Sequence, residues 1–136
     1  MKVIPYLNFS GNAEKALHFY EHALNAEVSS LMRYGENPMP GLSEDTYQLI
    51  MHAELFFGDN KIYLSDIAET TPLLCGDNFS VHLDCDTEEE IRQLFSRLSE
   101  HATSIDPLED TFWGAIFGAL TDQFGIQWSL NYQKPE

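Results

Sequence analysis

The stretch FWGAIFGALTDQFGIQWSL, residues Phe112 to Leu130, decides the fold of this chain. Within it, Asp122-Gln123-Phe124-Gly125 predicts a tight turn, because glycine at the last position adopts a positive φ without steric cost. After the turn, Ile126, Trp128 and Leu130 alternate with polar residues, which is typical of a strand buried on one face only. A strand over residues 117–121 precedes the turn, so the stretch predicts a hairpin.

The first half of the chain predicts the order strand, helix and three further strands. Asn12 or Ser10 is expected to cap a helix near residues 13–25, whose apolar residues recur every three or four positions. A loop rich in Gly and Pro is predicted at 35–43, and a turn at 58–60 is predicted to join the last two strands. The strands are predicted near residues 3–9, 27–34, 47–57 and 61–67.

The second half predicts the same order of elements. Thr87, followed three residues later by Glu90, predicts a capping box at the start of a second helix. Its predicted buried stripe is Ile91, Leu94, Phe95 and Leu98, and two strands at 78–85 and 104–108 precede the hairpin described above.

These patterns predict an α+β fold, with two βαβββ modules that form curved mixed sheets around a cavity. We expect a single domain, with module one at about 1–67, a linker at about 68–77 and module two at about 78–133.

Period-two alternation assigns each strand residue either to the helix side of its sheet or to the opposite, cavity side. In the strand 47–57 the odd positions are apolar and should pack on the helix, which leaves the even positions, Ile50 included, on the cavity side. That side is predicted to mix polar and aromatic groups, which suits a small-molecule pocket. The residues predicted to line the ligand site are Tyr6, His52, Glu54, Ser65, His82, Trp113 and Ser129.

Composition limits the partners and the compartment. The chain has 136 residues, with 22 acidic against seven basic ones and a formal charge of −15. Such a surface repels phosphate groups, so neither nucleic acid nor an anionic membrane is an expected partner. No apolar run is long enough to cross a bilayer, and no signal-peptide core is visible. Cys75 and Cys85 lack metal or redox spacing, which favours a reduced, cytoplasmic protein.

Five segments together resemble a known superfamily: PYLNF at 5–9, GNAEKALHFYEHAL at 11–24, MHAEL at 51–55, YLSD at 63–66 and DTFWGAIFGALTDQFGIQW at 110–128. The chain resembles the vicinal oxygen chelate superfamily, which contains glyoxalases and bleomycin-resistance proteins. It is most similar to the PhnB-like branch, often labelled 3-demethylubiquinone methyltransferase-like. The resemblance implies paired βαβββ modules and a homodimer, commonly with cavities built from both modules.

The resemblance also implies metal-ligand positions, because catalytic members of the superfamily carry His and Glu on the first and last strands of each module. In this chain those positions fall at Tyr6, at Ser65 or Tyr63, at Ser80 and at Ser129, and none is a customary ligand of such a site. We therefore predict that the usual metal centre is missing and that no cofactor is firmly implied, although a divalent metal remains open.

The methyltransferase label predicts no mechanism. The sequence lacks a glycine-rich loop between a parallel strand and a helix, which is the arrangement that cradles a nucleotide-like cofactor.

Three functions remain open from the sequence. The first is a homodimer that binds a small organic ligand without a firmly held metal. The second is a divalent-metal-dependent lyase, isomerase or dioxygenase that uses His52, Glu54 and His82 as a rearranged ligand set. The third is a resistance-type protein that sequesters a drug, for which the acidic surface would suit a cationic compound.

Several candidate residues keep two interpretations. His52 and Glu54 are either an acid/base pair or metal site, or a hydrogen-bonded polar cluster within the sheet. Trp113, with Phe112, either stacks on a ligand at the cavity mouth or anchors its loop over the core. Cys85 is expected to be a small apolar filler rather than a nucleophile.

Overall fold

The computed structural model describes residues 1–37, 39–68 and 72–136. The chain divides into two compact units, Met1–Leu74 and Cys75–Glu136, and each has the element order βαβββ with a four-stranded mixed sheet. The predicted α+β class and the repeated order are therefore confirmed. Parts of the predicted loop 35–43 and of the predicted linker 68–77 lie outside the described residues. The assignment of the whole chain to one domain stays a prediction.

Unit one is a sheet with its helix on one face. Its elements are β1 (Tyr6–Phe9), α1 (Ala13–Ala23), β2 (Glu27–Arg33), β3 (Ile50–Phe57) and β4 (Asn60–Asp66). The strands lie in the order β1-β4-β3-β2, with β1 parallel to β4 and the other pairs antiparallel. Two short 3₁₀ turns, Tyr34–Glu36 and Glu44–Thr46, lie between β2 and β3.

The core of unit one forms where α1 packs on β3 and β4. The predicted stripe of α1 is confirmed, since Leu17 and Tyr20 are fully buried. Burial of a leucine-sized side chain contributes about 1.5–3 kcal/mol, so the stripe holds the helix on the sheet. The other buried apolar residues of this core are Leu7, Phe9, Ala13, Ala16, Ala23, Leu24, Ile50, Ala53, Leu55, Ile62 and Leu64.

The N-terminus of α1 is capped from the sheet. Neither Ser10 nor Asn12, the two predicted caps, is shown to accept a side-chain capping hydrogen bond. Instead Asp66, at the end of β4, accepts through Oδ1 from the N–H groups of Gly11 (2.8 Å) and Ala13 (3.0 Å). Its Oδ2 accepts from the Ile50 N–H at 3.0 Å. A buried carboxylate therefore satisfies N–H donors that a local cap was expected to satisfy, and it places negative charge at the positive end of the helix.

A β-bulge in β3 overturns the prediction for Ile50. The pairing steps from Met32 opposite His52 to Arg33 opposite Ile50, so Met51 is an extra residue in β3. One extra residue reverses the alternation, and Ile50 joins Ala53 on the helix side, where it is fully buried. Beyond the bulge the predicted alternation holds.

Unit two has the same architecture. Its elements are β5 (Val81–Cys85), α2 (Glu88–Leu98), β6 (Ser104–Asp110), β7 (Ala115–Thr121) and β8 (Gln127–Gln133). The strand order is β5-β8-β7-β6, with β5 parallel to β8. The Thr87 hydroxyl accepts from the Glu90 N–H at 3.0 Å, as predicted, while the Glu90 carboxylate reaches the N–H of Asp86 instead of that of Thr87.

The hairpin predicted around the turn Asp122-Gln123-Phe124-Gly125 forms between β7 and β8. Gly125 has a φ of +87° and donates its N–H to the Asp122 carbonyl at 3.0 Å, which confirms the predicted turn. The buried Asp122 carboxylate accepts from the N–H groups of Phe124 and Ile126 and from Trp128 Nε1 at 2.8 Å. Gly118 lies opposite Phe95 of α2, where a β-carbon would come within 2.8 Å of the phenyl ring. The helix therefore packs closely on β7.

We expect Asp66→Asn to lower the free energy of unfolding by about 2–4 kcal/mol, since the amide cannot accept three N–H bonds and brings donors of its own. Urea titration followed by circular dichroism measures the change. The matched control is Asp77→Asn at an exposed position, which should stay within about 0.5 kcal/mol of wild type. If Asp66→Asn is as stable as that control, the capping role is wrong.

The two thiols should differ sharply in reactivity. Burial, with the carboxylates of Glu90, Asp84 and Asp86 nearby, raises the pKa of the Cys85 thiol to about 11, while Cys75 is exposed. Because the thiolate is the nucleophile, Ellman's reagent at pH 8 should modify native protein at Cys75 and barely at Cys85. Cys75→Ser should react only after denaturation in urea. Rapid reaction of native Cys75→Ser would contradict the expectation.

Candidate functional site

The candidate site lies on the face of the first sheet that points away from α1, which we call the distal face. Residues of neighbouring strands meet there in register, with Tyr6 beside Tyr63 and Glu54 opposite Tyr63. His52 shares this face with Glu54, because side chains two residues apart in a strand point the same way. The structure thus brings together Tyr6, His52 and Glu54, three of the residues predicted from the sequence.

Two hydrogen bonds connect these three side chains. The Tyr6 hydroxyl lies 2.9 Å from His52 Nδ1, and His52 Nε2 lies 3.0 Å from Glu54 Oε2. The His52 and Glu54 side chains are 29% and 25% exposed, and Tyr6 is 44% exposed. The array therefore remains accessible to solvent, mainly at its tyrosine end.

Tyr63 fixes the orientation of the rings. Its ring meets His52 edge-on with centroids 4.9 Å apart, and it meets Tyr6 edge-on at 5.9 Å. Edge-to-face contacts of this kind add about 0.5–1.5 kcal/mol to the area that they bury. Tyr63 is not among the residues predicted to line the site, although it is the alternative to Ser65 at one of the superfamily's ligand positions. Its role follows from the strand register, which the alternation pattern does not supply.

Ser65 is less accessible than the other predicted residues of this face. It is only 8% exposed, and its hydroxyl lies 3.5 Å from the Asn8 amide oxygen on the neighbouring strand. A direct role for Ser65 in ligand binding stays a prediction.

The second unit carries its own polar cluster on the face opposite α2. His82 Nδ1 lies 2.7 Å from the Ser129 hydroxyl, and the His82 ring stacks on Phe117 with centroids 6.4 Å apart. The first pair follows from register, since β5 and β8 place His82 beside Ser129. A depression of about 190 Å³ adjoins Ser129, and its lining mixes polar residues (Ser80, Ser104, Asp106, Thr121 and Gln127) with apolar ones (Ala119, Leu120 and Trp128).

Trp113 lies in the exposed β6–β7 turn with Phe112. The two rings meet edge-on at 4.9 Å, and Phe112 is 97% and Trp113 54% exposed. Such exposure does not fit an anchor over the core of unit two, so that interpretation of the pair is wrong. A contact between Trp113 and a ligand stays a prediction.

The positions that correspond to the superfamily's metal ligands carry hydroxyl side chains, namely Tyr6, Tyr63 or Ser65, Ser80 and Ser129. Neutral hydroxyls do not fit the imidazole and carboxylate donors that Fe, Mn or Zn sites need. Among the residues that the structure describes, no three His, Cys, Asp or Glu side chains form a group that could hold a metal ion. Within the same ranges, no helix has the length and apolarity needed to span a membrane.

Comparison with known proteins identifies related chains of nearly equal length. Protein YjdN of Escherichia coli K12 is 29% identical over 147 residues, which span 100% of this chain and 98% of YjdN. The crystal structure of PA1353 from Pseudomonas aeruginosa has a TM-score of 0.89 and 32% identity, with 99% of both chains covered. A PhnB protein from Bacillus cereus has a TM-score of 0.80 and 28% identity, over 97% of this chain and 99% of that one.

More distant structures share the fold alone. The bleomycin resistance determinant encoded on transposon Tn5 has a TM-score of 0.60 and 22% identity, with 99% of both chains covered. The family model for 3-demethylubiquinone-9 3-methyltransferase matches residues 1–131, which is nearly the whole chain. The chain therefore belongs to the 3-demethylubiquinone-9 3-methyltransferase family, and it shares its fold with the bleomycin resistance determinant.

Proposed function

We propose that this protein binds a small organic ligand on the distal face of its first sheet, without a firmly held metal ion. The observation that carries the proposal is the Tyr6–His52–Glu54 array, which reaches solvent beside the ring of Tyr63. Small-molecule sites typically combine aromatic surface with a few oriented polar groups, and this face offers both.

Charge indicates which ligands are favoured. In the described part of the chain, no Lys or Arg side chain is recorded in a hydrogen bond or ion pair with Tyr6, His52 or Glu54. The formal charge of the whole chain is −15, so its field repels anions. A neutral or cationic ligand is therefore favoured over a phosphate or a carboxylate.

The His82–Ser129 pair and Trp113 belong to the same proposal as further contacts for a ligand. The exposed rings of Phe112 and Trp113 offer stacking surface, and the Ser129 hydroxyl offers a hydrogen bond.

We also propose that the protein is a homodimer, as its resemblance to the superfamily implies. Sedimentation velocity at micromolar concentration tests this, because a monomeric mass of 15.5 kDa would contradict it.

We expect protein purified without added metal or a metal-binding tag to contain no stoichiometric Mn, Fe, Ni or Zn, because its donor set is incomplete. Elemental analysis checks this before and after incubation with each ion and gel filtration. A stoichiometric metal that is lost in His52→Ala and His82→Ala would contradict the proposal and support the metal-dependent enzyme instead.

We expect ligands found by thermal shift among neutral and cationic fragments to need the array. His52→Gln should weaken their affinity about tenfold, the value of one hydrogen bond of about 1.4 kcal/mol. Isothermal titration measures the change, and His22→Gln on the exposed face of α1 is the matched control. Equal affinities for wild type and His52→Gln would place the ligand elsewhere.

The variant Trp113→Ala is tested by two measurements, fragment binding and sedimentation velocity. Weakened fragment binding with unchanged sedimentation supports a ligand contact, whereas changed sedimentation with unchanged binding assigns the ring to an interface between protomers.

A further inference from the structure

The side chains of Tyr6, His52 and Glu54 form a directed chain of hydrogen bonds. An ionised carboxylate only accepts hydrogen bonds, so the proton between His52 and Glu54 lies on Nε2. In a neutral imidazole the other nitrogen, Nδ1, then carries a lone pair. With Glu54 ionised and His52 neutral, the Tyr6 hydroxyl, 2.9 Å from Nδ1, is therefore the donor in this hydrogen bond. Glu54 therefore sets the tautomer of His52, and His52 sets the direction of the Tyr6 O–H bond.

The order hydroxyl, imidazole, carboxylate is the arrangement that activates an oxygen for proton transfer or attack. Tyr6 is the most exposed residue of the array, at 44%. Its ring contacts both the His52 ring and the Tyr63 ring, with centroids 5.6 and 5.9 Å away. The reactive end of the chain is thus oriented before any ligand arrives, which is the condition for efficient acid–base work.

We infer that the distal face of the first sheet is an acid–base site whose working atom is the Tyr6 hydroxyl oxygen. This inference rests on the proposed function, since the ligand bound there is the substrate. In the step we assign, the Tyr6 oxygen takes a proton from the substrate while the hydroxyl's own proton passes to His52 Nδ1. One substrate C–H or O–H bond and the Tyr6 O–H bond break, and a new Tyr6 O–H bond and an imidazole N–H bond form.

The charges in this step remain balanced. The substrate loses one proton, His52 gains one, and the Glu54 carboxylate lies 3.0 Å from the imidazolium that forms. No electrons change hands, so the step needs no redox partner. The chemistry fits neutral or cationic substrates with a C–H bond next to a carbonyl group or with a weakly acidic hydroxyl group. Tyr6 is the catalytic residue, and His52 and Glu54 act through it.

An arylsulfonyl fluoride tests the reactivity of Tyr6 without knowledge of the substrate. The phenol oxygen forms an O–S bond, the S–F bond breaks, fluoride leaves, and the phenol proton moves to His52. Peptide mapping of the labelled full-length protein compares Tyr6 with Tyr47 and Tyr132, which are partly exposed and serve as internal references. We expect Tyr6 to react at least about tenfold faster than either reference. A positioned general base typically accelerates a reaction about 10²–10⁴-fold, so tenfold is a low threshold for this test.

His52→Gln is the decisive variant, because the glutamine oxygen can accept the Tyr6 hydrogen bond but cannot take its proton. It should reduce Tyr6 labelling to the level of the references, with an unchanged circular dichroism spectrum. Glu54→Gln should slow labelling to a smaller extent, and His22→Gln, a matched control on the exposed face of α1, should leave it unchanged. Equal labelling of Tyr6 in wild type and folded His52→Gln, or no excess over the references, overturns the inference.

A measurement on wild type keeps the test valid if the variants fail to fold. Nitrogen-15 spectra of the histidine rings should show His52 as the Nε2–H tautomer, whereas an Nδ1–H tautomer overturns the inference. Failure of the acid–base role can be distinguished from failure of the proposed ligand binding, because labelling needs no natural ligand. Fragment binding that depends on His52, combined with an unreactive Tyr6, overturns only the acid–base role. A reactive Tyr6 that no fragment protects from labelling overturns the ligand site.

Discussion

The buried carboxylate of Asp66 is the interaction on which the first unit depends. It lies at the end of β4 and receives N–H bonds from both the start of α1 and the start of β3. Three segments far apart in the sequence are thereby held at one point, and the carboxylate meets the positive end of the helix. Because β3 and β4 are the strands that carry His52, Glu54 and Tyr63, the same carboxylate fixes the geometry of the candidate site.

Coverage of each sheet by one helix gives its two faces different roles. On the helix side the side chains are apolar and buried, as Leu55 and Leu64 show. The other face keeps polar groups, which bond to one another across the strands instead of packing on a helix. The side chains of such an array satisfy one another's hydrogen-bonding groups, and their partial exposure leaves them accessible to a ligand. The side chains that form hydrogen bonds on this face of the first sheet are therefore the same ones to which we assign the proposed chemistry.

The family name and the residues of the candidate site indicate different chemistry. The family's name describes a methyltransferase, and the fold is that of bleomycin-resistance proteins, yet function depends on the site rather than on the fold. At the positions that correspond to the superfamily's metal ligands, this chain carries hydroxyls, one of which is Tyr6. His52 and Glu54, on a different strand, form a hydrogen-bonded array with Tyr6.

The sequence by itself determined the elements and their faces, because both follow from local periodicity and turn chemistry. The hairpin around Gly125, the helix stripes and the distal placement of Tyr6, His52 and Glu54 all belong to this part. Tertiary structure decided what depends on contacts between distant residues. Three features leave no local signal in the sequence. They are the cap from Asp66 to Ala13 across 53 residues, the bulge that buries Ile50, and the hydrogen bond between Tyr6 and His52 across 46 residues. They follow from strand register, which is set only when the sheet assembles.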